Sequence, residues 1–158
     1  MPDERGAPER IEVKSLADYL DVMSKAVFQS GMSWKVVDGK WATTRETFDG
    51  FDPEKVAAYG EPQLGALKED TRVIRNRRKL AAVVNNAQTM IELEAEHGTF
   101  RGYLRSHESF DATVDDIRKQ FSFMGDMGCY YFLYVVGEET PSHDQWVASR
   151  AAARAAKG

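Results

Sequence analysis

Residues 70–96 read DTRVIRNRRKLAAVVNNAQTMIELEAE and carry the longest helical pattern in the chain. Apolar residues recur there with the 3.6-residue period of a helix that buries one face. They are Val73, Ile74, Leu80, Ala81, Val84, Ala87, Met90, Ile91 and Leu93. Asp70 or Thr71 is the expected start, and His97-Gly98 the expected end, because glycine suits the left-handed conformation that stops a helix. The pattern predicts a long central helix.

Shorter helical patterns lie on both sides of this segment. Ser15 is expected to cap a helix that ends at Gly31, and Asp52-Pro53 is typical of a capped start with proline in the first turn. Further helices are expected around Trp41, near 62–67, over 99–106, from Asp111 or Thr113 to Phe121, over 127–136 and from Pro141 onward. Residues 130–136 have a β-like composition, but their position between Gly128 and Gly137 fits a buried helix about as well. No alternating strand pattern competes seriously, so the sequence predicts an all-α fold of about eight helices.

Length and composition are those of one soluble domain: 158 residues, 42% hydrophobic and 29% charged. Residues 1–14, rich in charge and with two prolines, are expected to form a flexible or loosely docked arm before a single domain over 15–158. The longest apolar run, Tyr130–Val136, is far shorter than the ~20 residues that span a bilayer, and no signal peptide is visible. Cys129 is the only cysteine, which excludes a disulfide framework within one chain. We expect a cytoplasmic monomer without membrane contact.

The net charge of −4 argues against a protein that coats nucleic acid through overall charge. The basic residues are nevertheless unevenly distributed, because five cations fall within residues 72–79, RVIRNRRK. Such a run is usually a solvated helix face, and it is also able to hold a few phosphates. The sequence leaves both interpretations open.

Three motifs occur in order along the chain. They are QSGMSW at 29–34, FDGFDPEKVA at 48–57 and IRNRRKL at 74–80, the last followed by Asn85-Asn86-Ala87. The corresponding family signatures are Gln-Ala-Gly-Leu-Ser-Trp, Phe-x-x-Phe-Asp-Pro-x-Lys-Val-Ala and Ile-Arg-x-Arg-x-Lys-Ile with Asn-Ala. In this order and spacing, residues 26–136 resemble the DNA-3-methyladenine glycosylase I family of the helix-hairpin-helix glycosylase superfamily.

The resemblance implies an enzyme that hydrolyses the N-glycosidic bond of alkylated purines in double-stranded DNA during base-excision repair. A base in a duplex is reached only after it is flipped out, so the gap needs a plug and the base an aromatic platform. Met32 takes the plug position, where the family has leucine, and Trp34 the platform, where a cationic purine gains cation–π attraction. Gln29 and Ser33 are expected at the base, and Gly31 at the DNA. Alternatively, Met32 and Trp34 are core residues at a helix junction.

The resemblance also predicts contacts to the DNA backbone. A hairpin is expected at 121–125, FSFMG, where backbone amides near Gly125 and Gly128 hold a phosphate without side-chain charge. An ordinary helix–helix connection explains this turn equally well. The expected phosphate contacts in the basic run are Arg75, Arg77, Arg78 and Lys79.

The chain departs from the family near its N-terminus and in the base pocket. Tyr19 is the only aromatic residue among the first 25, where the family has a segment rich in Trp, Tyr and His. The family's structural zinc has two cysteine and two histidine ligands, whereas this chain has one cysteine and three histidines without ligand spacing. We therefore expect no metal and no other cofactor. Counting back from Gly31, Ala26 occupies the position of the family's pocket glutamate, and it neither accepts a hydrogen bond from the base nor balances its charge.

Asp144 and His143 are the candidate catalytic groups. Superfamily enzymes place an aspartate near this point to stabilise an oxocarbenium-like transition state, and His143 is suited to handling a proton. Alternatively, the helix dipole alone favours an acidic residue in this first helical turn. Lys79 and Lys119 are expected to be exposed, which argues against a Schiff-base lyase and for a monofunctional hydrolase.

Two other functional classes remain open. One is a catalytically inactive DNA-binding paralogue on the same scaffold. The other is a helical protein that no longer binds DNA. The salt dependence of duplex binding distinguishes the last class, because its slope reports the number of phosphate contacts.

Overall fold

The computed structural model describes residues 8–157, and their regular structure is helical throughout. Nine α-helices follow one another: α1 Leu16–Gln29, α2 Trp34–Thr47, α3 Pro53–Ala57, α4 Glu61–Glu69, α5 Arg77–His97, α6 Phe100–Leu104, α7 Phe110–Gln120, α8 Asp126–Val135 and α9 His143–Lys157. A 3₁₀ turn, Asp49–Phe51, lies between α2 and α3. No strand forms within residues 8–157, so the predicted all-α fold is confirmed, with nine helices where about eight were expected.

The central helix α5 begins at Arg77, whereas the apolar pattern predicts a start at Asp70 or Thr71. The segment before it is a loop. The Asn76 side chain accepts a hydrogen bond from the Lys79 N–H at 3.2 Å and caps the helix there. Asparagine and aspartate side chains compete with helical hydrogen bonds in this way, so apolar spacing alone places the helix start too early.

The other helix ends follow local capping chemistry. Asp52 caps α3 as predicted, because its carboxylate accepts two backbone N–H groups of the first turn. Gly98 ends α5 as predicted, with a φ of 83°. The predicted caps of α7, Asp111 and Thr113, are wrong. Ser109 has that role, since its Oγ accepts a backbone N–H of the first turn at 3.0 Å.

The core lies where α1, α5 and α8 meet. Helix α1 packs against α2, α5 and α8, and α5 also packs against α3, α4 and α6. Fully buried side chains include Leu20 and Met23 of α1, Leu80 and Met90 of α5 and Phe132 of α8. Burial of each such side chain contributes about 1.5–3 kcal/mol. This core fixes the end of α1 relative to α8, and the candidate site lies at that junction.

The FDGFDPEKVA motif belongs to the core. Phe48 and Phe51 are fully buried and stack with ring centroids 5.2 Å apart. Phe51 also stacks on Trp41 at 5.4 Å. Residues 49–51 all have positive φ, so the chain makes a left-handed turn that brings Phe51 under Phe48. The motif therefore serves packing and the start of α3.

The described part of the N-terminal arm docks on the end of α8. The Ile11 N–H donates to the Val135 carbonyl at 2.8 Å, and the Arg10 guanidinium lies 4.1 Å from the centroid of the Tyr134 ring. Arg10 also donates to the Glu138 carbonyl at 3.0 Å. Residues 1–7 of the predicted arm lie outside the described residues.

Candidate functional site

The QSGMSW motif forms a turn at 30–33 between α1 and α2. Gly31 has a φ of 72°, which side chains other than glycine rarely adopt. The Met32 N–H donates to the Gln29 carbonyl at 3.1 Å, and the Met32 side chain is half-buried against the core. Ser33 is exposed at the N-cap of α2, which begins at Trp34. The turn thus presents Met32 and Trp34 close together at the surface.

Lys79 supports this turn from inside the molecule. Its side chain is buried, and its Nζ donates to the Phe28 carbonyl at 3.2 Å and to the Ser30 carbonyl. Desolvation lowers the pKa of its ammonium group. The expectation that Lys79 is exposed is therefore wrong. The ammonium faces the C-terminal end of α1, where the helix dipole favours a cation.

Trp34 and Tyr131 of α8 form a partly exposed aromatic pair. Their rings meet edge to face with centroids 5.5 Å apart, and Trp34 remains 50% exposed. The alternative interpretation of Trp34 as a core residue is therefore wrong. Burial, followed by the Asp38 and Asp21 carboxylates, raises the pKa of Tyr131 to about 12, and a hydrogen bond with buried Gln29 acts in the opposite direction. Tyr131 is not predicted as a site residue, because it lies in an apolar run whose composition indicates only a buried segment.

Ala26 and Gly128 lie opposite each other where α1 packs on α8. A Cβ atom on Gly128 would lie 3.8 Å from the Ala26 Cβ and 3.9 Å from the Met124 Sδ. Two small residues therefore allow the helices to approach closely, which gives Gly128 a packing role. The neighbour of Ala26, Lys25, forms an ion pair with Asp38 at 2.6 Å.

The expected hairpin joins α7 to α8, and Asn86 of α5 holds it. Asn86 is buried; its Oδ1 accepts the Ser122 N–H at 2.8 Å and its Nδ2 donates to the Ser122 carbonyl at 3.2 Å. Phe123 adopts a φ of 60° and exposes its ring. Exposed Gly125 is the N-cap of α8. The Asn-Ala motif thus positions the turn, a role that the sequence pattern did not indicate.

Three arginines converge on Asp126 in the first turn of α8. Its Oδ1 accepts hydrogen bonds from Arg118 and Arg150, both at 2.8 Å, and its Oδ2 accepts one from Arg154. Burial opposes ionisation of this carboxyl, but hydrogen bonding to Arg150 and the nearby arginine charges lower its pKa. The arginines compensate a carboxylate that would otherwise repel a phosphate at this helix start.

The basic run contains both paired and unpaired cations. Arg72 and Arg77 are held by carboxylates at 2.8 and 2.7 Å. Arg75 and Arg78 are exposed and form no ion pair with any residue of the described range 8–157. Because Arg72 and Arg75 lie in the loop before α5, the run is not a single solvated helix face.

Asp144 and His143 lie in the first turn of α9. The Asp144 side chain is fully exposed, and the His143 Nδ1 is 3.3 Å from its Oδ1. The His143 ring packs edge to face on Tyr130 at 5.1 Å. Tyr130 and Tyr131 point about 100° apart around α8. Among the described residues, no contact joins the two candidate catalytic groups to the aromatic pair.

The described side chains do not fit the zinc that the resemblance implies. Within residues 8–157, no three His, Cys, Asp or Glu side chains converge as a metal site requires. Cys129 is buried in α8, where desolvation raises the pKa of its thiol to about 12. No helix of this range combines the length and apolar character needed to cross a membrane.

Known proteins share both the sequence pattern and the fold. The methyladenine glycosylase family model matches residues 12–123. The chain is 28% identical over 156 residues to DNA-3-methyladenine glycosylase 1 of Escherichia coli, covering 85% of this chain and 81% of the relative. It is 28% identical over 130 residues to DNA-3-methyladenine glycosylase of Haemophilus influenzae, covering 69% of this chain and 70% of that relative. A tyrosine-to-phenylalanine variant of 3-methyladenine DNA glycosylase I, crystallised in complex with 3-methyladenine, matches with a TM-score of 0.72 at 23% identity, covering 82% of this chain and 81% of that one.

The all-α fold is that of solved DNA glycosylases. The family match spans most of the domain, and the chain belongs to the methyladenine glycosylase family. The resemblance carried by the three motifs is therefore confirmed. The expected class of activity, a DNA glycosylase of base-excision repair, follows from the family and the curated relatives.

Proposed function

We propose that this enzyme is a monofunctional glycosylase that hydrolyses the N-glycosidic bond of an alkylated, positively charged purine in double-stranded DNA. The observation that carries the proposal is half-exposed Trp34, packed edge to face on Tyr131 and directly preceded by the Gly31–Met32 turn. Base flipping requires an aromatic surface for the extruded base and a side chain for the vacated space. The proposed enzyme acts as a cytoplasmic monomer.

Met32 fills the space that the flipped nucleotide leaves in the duplex. Its half-buried side chain is anchored on the core, and its flexible thioether adapts to the neighbouring bases. Unstacking costs a few kcal/mol, which an apolar wedge between base pairs partly offsets. The extruded purine stacks on Trp34, whose ring face attracts the cationic base. Ser33 offers an exposed hydroxyl beside it, and buried Gln29 lies next to the Tyr131 hydroxyl.

The damaged strand is held at the turn before α8. The first N–H groups of a helix have no partner within the helix and suit a phosphate oxygen, and exposed Gly125 leaves the approach open. Asp126 does not oppose this binding, because three arginines compensate its charge. Elsewhere on the duplex, Arg75 and Arg78 add contacts to phosphates that do not depend on base sequence.

The reaction demands little from protein side chains. When the bond between the sugar C1′ and the purine nitrogen breaks, its electron pair neutralises the positive base, which leaves as a neutral molecule. Water adds to the oxocarbenium-like C1′ and releases a proton. Asp144 is the carboxylate proposed to stabilise that sugar, with His143 taking the proton, once bound DNA brings C1′ to the start of α9. No lyase step is proposed, because two carbonyls engage the Lys79 ammonium.

Ala26 restricts the lesions that this mechanism serves. It supplies no carboxylate to the base, so selection rests on stacking and on the positive charge of the purine. A cationic base is also the better leaving group, because its glycosidic bond is weakened before it reaches the enzyme. Neutral damaged bases are therefore expected to be poor substrates.

Release of free 3-methyladenine from alkylated duplex DNA, followed by chromatography under single-turnover conditions, tests this function. Trp34→Ala is expected to lower the rate by roughly tenfold or more, because base–aromatic stacking contributes about 1–3 kcal/mol. Trp34→Phe should keep most of the rate. Val147→Ala removes an exposed apolar side chain of α9 and is the control. Equal rates for Trp34→Ala and the unsubstituted protein, or no release from alkylated duplex at all, would overturn the proposal.

A catalytically inactive DNA-binding protein on the same scaffold is the second candidate function. The alanine at position 26 favours it, because the base meets no carboxylate there. This candidate predicts duplex binding with the salt dependence of several phosphate contacts. No free base would then be found in the reaction in which that binding is measured.

A further inference from the structure

A groove of about 550 Å³ opens on the side of α2 that faces away from Trp34. One wall is formed by Met32 of the turn and by Val36 and Lys40 of α2, which are four residues apart and therefore share one face of that helix. Val36 follows Trp34 by two residues, which is about 200° around the helix. Met32 thus stands between two surfaces, the aromatic pair on one side and the groove on the other.

The second wall comes from the end of α4 and the loop before α5. It consists of Lys68, Glu69, Val73, Ile74 and Arg75. Lys40 leans toward this wall, since its Nζ donates to the Thr71 carbonyl at 3.3 Å. The groove therefore has an apolar floor contributed from both walls and a rim of three cations and one carboxylate.

The cations of the rim are not neutralised by carboxylates of the described residues. Lys40, Lys68 and Arg75 form no ion pair with any residue in the described part of the chain, whereas nearby Arg72 and Arg77 are held by carboxylates. An apolar floor with unpaired cations along its rim suits a nucleic-acid strand, because phosphates meet the cations and the sugars and bases meet the floor.

We propose that this groove binds the strand complementary to the damaged one. The inference rests on the proposed function and extends it. The damaged nucleotide leaves the duplex toward Trp34, and Met32 enters the stack between the two strands. The groove continues from Met32 on the opposite side of α2, so it faces the complementary strand, whose phosphates contact Lys40, Lys68 and Arg75.

Strand-resolved hydroxyl-radical footprinting tests this assignment. The probe is a duplex with a tetrahydrofuran abasic analogue, labelled on each strand in turn, and the variant is Lys40→Ala with Lys68→Ala. Protection of the complementary strand should be lost while that of the damaged strand persists. The slope of log affinity against log salt is negative, and its magnitude should decrease by about 1.8, or 0.9 for each lost phosphate contact. Binding to the damaged strand alone, as a single strand, should not change.

A charge-matched pair of variants serves as the control. Lys14→Ala with Lys55→Ala removes two exposed lysines of the arm and α3 and should leave both footprints unchanged. Lys40→Arg with Lys68→Arg should restore protection. Urea unfolding confirms that each variant is folded, and Lys68→Ala alone, at an exposed residue, replaces the double variant if that one is unstable.

The outcomes separate this inference from the proposed function. If the unsubstituted protein binds duplex and releases base, but the double variant still protects the complementary strand, the groove assignment is overturned and the function stands. Loss of protection on the damaged strand, or an equal loss in the control pair, also overturns it. An unsubstituted protein that neither binds duplex nor releases base overturns both.

Discussion

The ammonium group of Lys79 lies 3.2 Å from the carbonyl oxygen of Phe28, a residue 51 positions earlier in the chain. It also donates to the Ser30 carbonyl, the last one before Gly31. A cation of the basic run therefore joins the central helix to the turn that carries Met32. Its role is to hold the site in place.

Lys79→Met is expected to lower the free energy of unfolding by about 1–3 kcal/mol, because two carbonyls lose their donor in the interior. Base release should fall as well, since the Met32 turn loses its support. Because desolvation lowers the pKa of Lys79, the unfolded state binds this proton more tightly. The stability of the unsubstituted protein relative to Lys79→Met should therefore rise as the pH approaches 10.5, the ordinary pKa of lysine. Urea unfolding at several pH values measures the change in stability and its pH dependence.

Lys119→Met is the control for this prediction, because it replaces an exposed lysine of α7. It should leave stability and base release unchanged. If Lys79→Met were as stable as the unsubstituted protein at neutral pH, the supporting role of the ammonium would be refuted.

Asn86→Ala is expected to lower the free energy of unfolding by about 1–3 kcal/mol, because buried Asn86 satisfies both backbone groups of Ser122. Duplex affinity at fixed salt should fall too, since the turn before α8 is then no longer held. Asn85→Ala is the matched control, because this neighbouring side chain is exposed. Equal stability and equal duplex affinity of the two variants would contradict the assignment.

Helical periodicity predicts most of this fold correctly. Apolar spacing identifies the helices, and the capping residues Asp52 and Gly98 mark the start of α3 and the end of α5. Apolar spacing places the start of α5 too early, because the apolar pattern continues through the preceding loop and the Asn76 cap sets the true start. Competition between a side-chain cap and a helix is local, and apolar spacing does not report it.

Local sequence patterns predict less of the candidate site than of the fold. The motifs predict the Gly31 turn and the family, because both depend on contiguous residues. Tyr131 carries no motif, and its contact with Trp34 exists only once α8 packs near the start of α2. The burial of Lys79 likewise depends on carbonyls about 50 residues away. Such pairings follow from tertiary packing, so residue type alone does not predict them.

Asp126→Asn is expected to lower the free energy of unfolding at pH 7 by about 2 kcal/mol, because a partly buried carboxylate loses its ion pairs with three arginines. The pKa of Asp126 is lowered in the folded state. Its contribution is therefore present above 3.8, the ordinary value, and is lost as the pH falls through the lowered value. Urea unfolding should show a difference between variant and unsubstituted protein at pH 7 that disappears once the pH is below the lowered pKa of Asp126. Asp115→Asn, at a more exposed partner of Arg150, should change stability by less than about 0.5 kcal/mol.

Asp38→Asn is expected to lower the pKa of Tyr131 from its value of about 12, because the variant removes a carboxylate that disfavours the phenolate. Titration of ¹³Cζ-labelled tyrosine by NMR measures this pKa, and Tyr131→Phe assigns the signal. Since the folded-state pKa lies above 10, the contribution of Tyr131 to stability is complete below pH 10 and is lost as the pH rises toward 12. Asp38→Asn should therefore reduce that contribution in alkaline solution. Glu54→Gln, at an exposed residue of α3, should leave the titration unchanged. An identical Tyr131 pKa in Asp38→Asn would mean that the Asp38 carboxylate does not act on the aromatic pair.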